Sequence, residues 1–232
     1  ISNFTDFMPL EQHELLGVRY VQRARELGRP DLVILPGTKN TMEDLLWLRQ
    51  NGLEAAALKL AHAGTPILGV CGGYQMLGQT LDDPQGTESG RPMALSGLGL
   101  LPTRTVFDAQ KRRMQVRAAA QGELFGGARL TGYEIHNGRT EVGGAPFCML
   151  EDGTPEGCVN RNVFGTYLHG LFDSGELTGA LVRMLCARKG ISPTQTQLMS
   201  MADYRQQQFD LLADGVRQAL DMGAVYRAIN MA

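Results

Sequence analysis

The chain has 232 residues, of which 43% are hydrophobic and 20% charged, and its formal net charge is −2. This composition is typical of a globular protein, and the small negative charge gives no reason to expect nucleic acid or an anionic membrane as partner. No apolar run approaches the ~20 residues of a membrane-spanning helix. No basic, apolar N-terminal segment of signal-peptide type is present either. We therefore expect a cytoplasmic protein.

The cysteines are scattered along the chain without the C-x-x-C spacing of zinc or redox motifs. Their positions are Cys71, Cys148, Cys158 and Cys186. This usage favours free thiols in a reducing compartment over a disulfide framework, and it predicts no metal site.

The first part of the chain alternates between strand and helix patterns. Strands are predicted at "GVRYV" (17–21), "DLVILPG" (31–37) and "TPILGV" (65–70). A helix follows the second of them, with Asn40 or Thr41 as its cap and Gly52 as its stop, and another helix is predicted over 53–63. Such alternation predicts a three-layer, doubly wound, mostly parallel α/β sheet of the flavodoxin-like type.

The pattern changes after Gly86. Residues 91–165 are rich in glycine and short β-type runs, which we interpret as strands and antiparallel hairpins that extend the sheet. Helices are predicted again at 175–189 and about 203–221, the second with Phe209, Leu212 and Val216 as a core face. No repeat or long linker divides the chain, so residues 1–232 are predicted to form one domain.

The stretch "ILGVCGGYQMLG" (67–78) places Cys71 between a strand and a helix. A nucleophile elbow has this arrangement, which presents the side chain at the carboxyl ends of the strands, where open α/β sheets bind ligands. Gly69, Gly72 and Gly73 suit such a tight turn, and the helix N-terminus favours the thiolate. A small buried residue at a turn is the structural alternative.

Two backbone groups are candidates for an oxyanion hole beside Cys71. The N–H of Gly72 would face the oxygen of a tetrahedral intermediate. The turn Pro36-Gly37-Thr38, at the end of a neighbouring predicted strand, is the natural source of a second donor.

A nucleophilic thiol needs a base, and His169 is the best candidate. It ends the aromatic-rich strand "VFGTYLHGLF", on the rim predicted for Cys71. His13 lies in a polar stretch and His62 on a predicted surface helix, so neither is expected to take part. From position alone, a buried structural role for His169 is about equally plausible.

The motif "GYEIHNGRT" carries further polar candidates. Strand periodicity puts Tyr133 on one face and both Glu134 and His136 on the other. The second pair lies either on a solvated face, or along a substrate pocket or partner interface. Gln75, one helical turn from Cys71, either lines the pocket or packs the helix against the sheet.

These motifs resemble those of a known family. Gly69-x-Cys71-x-Gly73-x-Gln75 is similar to the signature of class I (triad-type) glutamine amidotransferases. The whole chain resembles the amidotransferase domain of the cobyric acid synthase family. The matching stretches are "ISNFTDF", "DLVILPGTKNTMEDLLWLR", "GVCGGYQMLG", "GYEIHNGRTE" and "FGTYLHGLFD".

The resemblance implies that Cys71 and His169 hydrolyse glutamine through a γ-glutamyl thioester, with Gly37 and Gly72 holding the oxyanion. It implies no cofactor for this domain. In the family an upstream synthase domain uses ATP and magnesium to amidate carboxylates of a corrinoid, cobyrinic acid a,c-diamide, with the ammonia released. Because the chain begins with Ile1 rather than Met, we expect that this upstream domain is missing from it.

The sequence departs from the general class I pattern at Leu171, where a glutamate ordinarily orients the catalytic histidine. Glu134 is the candidate substitute, and a backbone carbonyl is an equal alternative. Other functions also stay open: a γ-glutamyl hydrolase or peptidase, a non-catalytic docking module, or an amidotransferase for another acceptor, such as cobyrinic acid or a cell-wall lipid intermediate.

Overall fold

The computed structural model describes residues 3–122, 125–192 and 201–230. The strands, in chain order, are β1 (Val33–Leu35), β2 (Ile67–Val70), β3 (Thr80–Asp83), β4 (Met93–Ser96), β5 (Thr103–Ala120), β6 (Arg129–Val142), β7 (Cys148–Leu150), β8 (Pro155–Glu156), β9 (Cys158–Asn160), β10 (Val163–Thr166) and β11 (Leu168–His169). The helices are α1 (Met8–Glu11), α2 (Ala24–Leu27), α3 (Thr41–Gln50), α4 (Leu53–His62), α5 (Gly72–Leu77), α6 (Glu176–Arg188), α7 (Met201–Ala219) and α8 (Met222–Asn230).

The first sheet has the order β1-β2-β10-β9. β1, β2 and β10 are parallel, and β9 joins antiparallel to β10. Every residue of β2 is buried, because its side chains enter a separate apolar cluster on each face of the sheet: Ile67 on one side, Leu68 and Val70 on the other. The parallel strands end at one edge, which brings together the turns after Leu35, Val70 and Thr166.

The helices around this sheet confirm the predicted pattern of alternation. The side chain of Asn40 caps α3 by accepting a hydrogen bond from the N–H of Glu43 at 3.0 Å. α4 and α6 fall within one residue of their predicted bounds at both ends. The predicted α/β class, with parallel strands and covering helices, is therefore confirmed.

The second sheet has the order β11-β6-β5-β3-β4, with β7 paired to β5 and β8 to β7. All its pairings are antiparallel except β3 with β5. The prediction that strands between 91 and 165 extend the first sheet is correct only for β9 and β10. The rest form their own sheet, because β5 and β6 pair along almost their whole length as one ribbon.

The N-terminal region differs from its prediction. Phe4–Phe7 is a 3₁₀ helix that continues into α1, and the buried side chains of Phe7 and Leu10 fasten this segment to the core. Residues 17–21 are not a strand. Tyr20 is half exposed there, and in the described part of the chain this stretch pairs with no strand.

The predicted C-terminal helix exists as α7, but its predicted role as a core face is wrong. Phe209 and Leu212 are 63% and 64% exposed, and Val216 is 40% exposed. The amphipathic spacing is genuine, yet nothing in the described residues covers the apolar stripe. Among the described residues, no helix combines the length and apolarity that crossing a bilayer requires.

Candidate active site

Cys71 sits at a strained elbow between β2 and α5, as the sequence predicts. Its backbone has φ 51° and ψ −110°, a conformation that costs a side-chain-bearing residue energy and that surrounding structure must enforce. Close packing around the elbow enforces this conformation, since a Cβ on Gly73 would lie 2.0 Å from the carbonyl oxygen of Leu35. The strain favours a functional cysteine over a space-filling one.

The Cys71 sulfur faces a cavity of about 410 Å³. The Cys71 N–H donates to the carbonyl of Thr166 at 2.8 Å, and the thiol donates to the carbonyl of Ile135 at 3.5 Å. The cavity collects most of the predicted site residues on its wall: Cys71, Gln75, Tyr133, His136 and His169.

His169 ends β11 with its side chain buried beside Cys71. Its Nδ1 lies 2.6 Å from Oδ2 of Asp6, and its ring stacks on Tyr133 with centroids 5.2 Å apart. Burial alone would lower the pKa of His169, but the hydrogen bond with Asp6 and the neighbouring Cys71 sulfur outweigh it and raise the pKa to about 9. The Asp6 carboxylate and the Cys71 sulfur therefore both favour the protonated ring.

Glu134 does not contact His169 through its carboxylate. Oε1 of Glu134 lies 2.7 Å from Nε2 of His136, and Oε2 lies 3.0 Å from Nε of Arg112. These contacts do not support Glu134 as the group that orients His169. Asp6, which the sequence analysis passed over inside the quoted "ISNFTDF", bonds to the ring instead.

The solvated-face interpretation of Glu134 and His136 is wrong. Glu134 is 3% exposed and His136 9%, and the His136 ring stacks on Tyr167 with centroids 3.6 Å apart. Strand periodicity could not show this burial, because the covering residue, Tyr167, comes from a distant part of the chain.

Gln75 fits both of its predicted roles. It lines the cavity, and its amide also ties three elements together. Oε1 accepts from the Thr41 hydroxyl at 2.9 Å, while Nε2 donates to the Asn137 carbonyl at 3.1 Å and the Tyr167 hydroxyl at 3.2 Å.

The turn after β1 packs against the start of α5. A Cβ on Gly72 would lie 3.3 Å from the backbone nitrogen of Thr38, and Gly37 is buried in the same turn. The assignment of the Gly37 and Gly72 N–H groups to an oxyanion hole is compatible with this proximity and stays a prediction.

Glu88 is a cavity residue that the sequence analysis missed. Its Oε1 accepts from the N–H of Thr41 at 2.6 Å, at the start of α3. Its loop is organised by the fully buried Asp83, whose carboxylate accepts from the backbone N–H groups of residues 87, 88 and 89. Although burial opposes the charge, these bonds lower the pKa of Asp83. In the sequence, this loop is marked only by the polar turn pattern of "DDPQGTESG", which does not single out Glu88.

Two cationic side chains, Lys39 and Lys111, also line the cavity. Lys39 is at the same time exposed to solvent. Carboxylate and ammonium groups therefore both face the space in front of Cys71.

Another buried carboxyl group, Glu156, stabilises the break between β10 and β11, just before His169. Its oxygens accept from the Thr166 hydroxyl at 2.6 Å and the Tyr167 N–H at 2.7 Å. Burial raises the pKa of Glu156 and of the adjacent Cys148 thiol, and raises that of Cys158 to about 11. Neither cysteine has the environment of a nucleophile.

Comparison with protein families finds a match for most of the chain. Residues 1–177 match the family model described as a CobB/CobQ-like glutamine amidotransferase domain. The chain is 42% identical to the cobyric acid synthase of Ruminiclostridium cellulolyticum, with 99% of this chain and 47% of that protein aligned. Identity is 44% to the cobyric acid synthase of Streptococcus sanguinis, over the same shares of the two chains. The chain thus spans about half the length of these curated relatives.

Solved structures agree on the fold. A structure titled "Crystal structure of glutamine amidotransferase" aligns with a TM-score of 0.50 and 18% identity, over 74% of this chain and 85% of that one. The PurLQS structure from Thermotoga maritima gives the same score and identity, over 68% of this chain and 82% of that one.

Proposed function

Because the chain belongs to the CobB/CobQ-like glutamine amidotransferase family, we propose that Cys71 and His169 hydrolyse glutamine to glutamate and ammonia. The observation that carries this proposal is the placement of both side chains on one cavity. There, a strained elbow presents the thiol and the neighbouring imidazole has its pKa raised to about 9.

In the proposed reaction the Cys71 thiolate attacks the side-chain amide carbon of glutamine. The Gly72 and Gly37 N–H groups stabilise the oxyanion, and protonated His169 gives its proton to the departing ammonia. The resulting γ-glutamyl thioester is then hydrolysed by water, which His169 deprotonates. Glutamate leaves and the thiol is restored.

The charged residues of the cavity match the ends of a free amino acid. We assign the Glu88 carboxylate to the α-ammonium group of glutamine, since Asp83 and the Thr41 N–H fix its position. Lys111 and Lys39 are the cationic groups available to the α-carboxylate. A γ-glutamyl peptide presents the same two groups, so this pairing binds the glutamyl end of the substrate and does not involve the reacting atoms.

We extend the proposal to the longer protein suggested by the curated relatives. In it, the ammonia passes to an upstream synthase domain, which uses ATP and magnesium to amidate carboxylates of cobyrinic acid a,c-diamide in cobalamin synthesis. Cobyric acid synthases at 42% to 44% identity support this acceptor over cobyrinic acid or a cell-wall lipid intermediate.

The test is glutamate release from glutamine. It is measured with this chain alone and with the chain joined to the remaining half of a curated relative, the part that does not align with this chain. We expect release in at least the joined protein, loss of release in Cys71→Ala, and a fall of ~10²-fold or more in His169→Ala. Cys186→Ala, a change of the same kind away from the cavity, is the control.

Labelling of Cys71 by a diazo-ketone analogue of glutamine separates this activity from peptide hydrolysis. Faster turnover of γ-glutamyl peptides than of glutamine would replace the proposal with the hydrolase alternative. If neither the chain alone nor the joined protein releases glutamate, the result would favour the non-catalytic docking module.

A further inference from the structure

We infer that Asp6 is the positioning residue for His169, taking the place of the glutamate that class I members carry at the position of Leu171. The inference rests on the proposed function, since it assigns the third member of the same catalytic group. Leu171 itself is 2% exposed and belongs to the apolar core, so it offers the imidazole no polar partner.

The Asp6 carboxylate binds the His169 ring and the backbone N–H of the next residue, Gly170. Oδ2 lies 2.6 Å from Nδ1 of His169, and Oδ1 accepts from the N–H of Gly170 at 3.0 Å. A carboxylate accepts hydrogen bonds, so Nδ1 carries a proton and Nε2 is the nitrogen left to exchange a proton with Cys71. The carboxylate therefore selects the tautomer that the chemistry needs.

Other contacts keep this carboxylate in place. Asn3 donates from Nδ2 to Oδ1 of Asp6 at 2.9 Å and also lies 2.7 Å from the Tyr133 hydroxyl. Tyr133 in turn stacks on His169. Asp6 is 4% exposed, and the adjacent Phe7 is 3% exposed, so the segment is fixed by packing as well as by hydrogen bonds.

The remaining ionisable groups around the ring do not supply this contact. Glu134 hydrogen-bonds to His136 and forms an ion pair with Arg112, and Glu156 accepts hydrogen bonds from the Thr166 hydroxyl and the Tyr167 N–H. Asp173 lies near Gly170 and pairs with Arg205. Cys71 and Tyr133 also lie beside the ring but carry no carboxyl group, so Asp6 is the carboxylate bonded to the imidazole among the described residues.

The first experiment reads the tautomer directly in the unaltered chain. With ¹⁵N-labelled histidine, we expect the His169 ring to titrate near pH 9 and to keep its proton on Nδ1 at higher pH. A neutral ring protonated on Nε2 would overturn the inference. This readout needs no glutamine, so it stands even if glutamine hydrolysis is not observed.

The second experiment uses Asp6→Asn, which keeps the shape of the side chain and removes its charge. We expect the pKa of His169 to fall by about one to three pH units, because an opposite charge within bonding distance is lost. We expect kcat to fall by ~10²- to 10⁴-fold with KM within a few-fold, since tautomer selection acts on the chemical step.

Asp173→Asn is the matched control, because it makes the same change in the same neighbourhood. None of its bonds in the described part of the chain reaches the imidazole. A folded Asp6→Asn protein with unchanged kcat and an unchanged His169 pKa would overturn the inference. If circular dichroism shows that Asp6→Asn does not fold, the tautomer of His169 measured in the unaltered chain decides whether the inference stands.

Discussion

The two sides of the cavity are built in different ways. The Cys71 side comes from consecutive residues, β2, the elbow and α5, shaped by a backbone with φ 51° and by glycines that allow close packing. The His169 side is assembled from remote parts of the chain, since Asp6 and Tyr133 meet the ring from 163 and 36 positions away in sequence (169 − 6 and 169 − 133). Local backbone geometry makes one side, and side-chain contacts over long distances make the other.

This difference predicts that substitutions on the two sides of the cavity have different effects. On the Cys71 side the backbone behind the elbow is closely packed, because only residues without a Cβ, Gly69 and Gly73, let α5 lie against the sheet. On the His169 side the charge and hydrogen bonds of individual side chains hold the ring in place. Substitutions should therefore damage folding on one side and chemistry on the other.

Gly73→Ala should have the largest effect. Its Cβ would lie 2.0 Å from the Leu35 carbonyl oxygen and 2.9 Å from the Leu35 Cβ, so β1 and α5 must separate. We expect a loss of about 3 kcal/mol in the free energy of unfolding. Urea denaturation followed by circular dichroism measures it.

The control is Gly215→Ala in α7, where no heavy atom lies within 4 Å of the added Cβ. There we expect a gain of ~0.5–1 kcal/mol from higher helix propensity. Equal stability of Gly73→Ala and the parent protein would show that the elbow accommodates an added Cβ. It would contradict the claim that close packing shapes the Cys71 side.

The same contrast explains how much of the molecule the sequence could predict. The strand–Cys71–helix order, the Asn40 cap and the α/β class follow from local patterns, which act within a few residues. The separate second sheet, the exposure of Phe209 and the burial of His136 depend on what each surface meets in three dimensions. Asp6 is the sharpest case, because a short polar residue near the chain start has no periodicity to mark its partner.

Glu88→Gln should have an intermediate effect, on substrate binding. If the carboxylate binds the α-ammonium of glutamine, removal of its charge should raise KM by ~10- to 100-fold, since hydrogen bonds to charged groups contribute ~1.5–3 kcal/mol. kcat should change little, because the contact is the same in substrate and transition state. Steady-state glutamate release measures both constants.

Glu43→Gln is the control, since Glu43 lies in the first turn of α3, near the bonding site of Glu88, but does not line the cavity. A fall in kcat without a rise in KM for Glu88→Gln would contradict the binding role. Glu88 would then act in the chemical step, on the Cys71 side of the cavity.

Glu134→Gln should have the smallest effect on the chemistry. Its carboxylate hydrogen-bonds to His136 and forms an ion pair with Arg112, whereas the His169 ring is bonded by Asp6 and stacked on Tyr133. We expect kcat within about threefold of the parent and an unchanged His169 titration, with ~1–3 kcal/mol lost from stability because a buried hydrogen-bonded charge is removed. A lowered His169 pKa would instead make Glu134 part of the orienting group. The His169 side would then depend on a network of two carboxylates, so that Asp6→Asn and Glu134→Gln would have to be combined in a double-mutant cycle to separate their contributions.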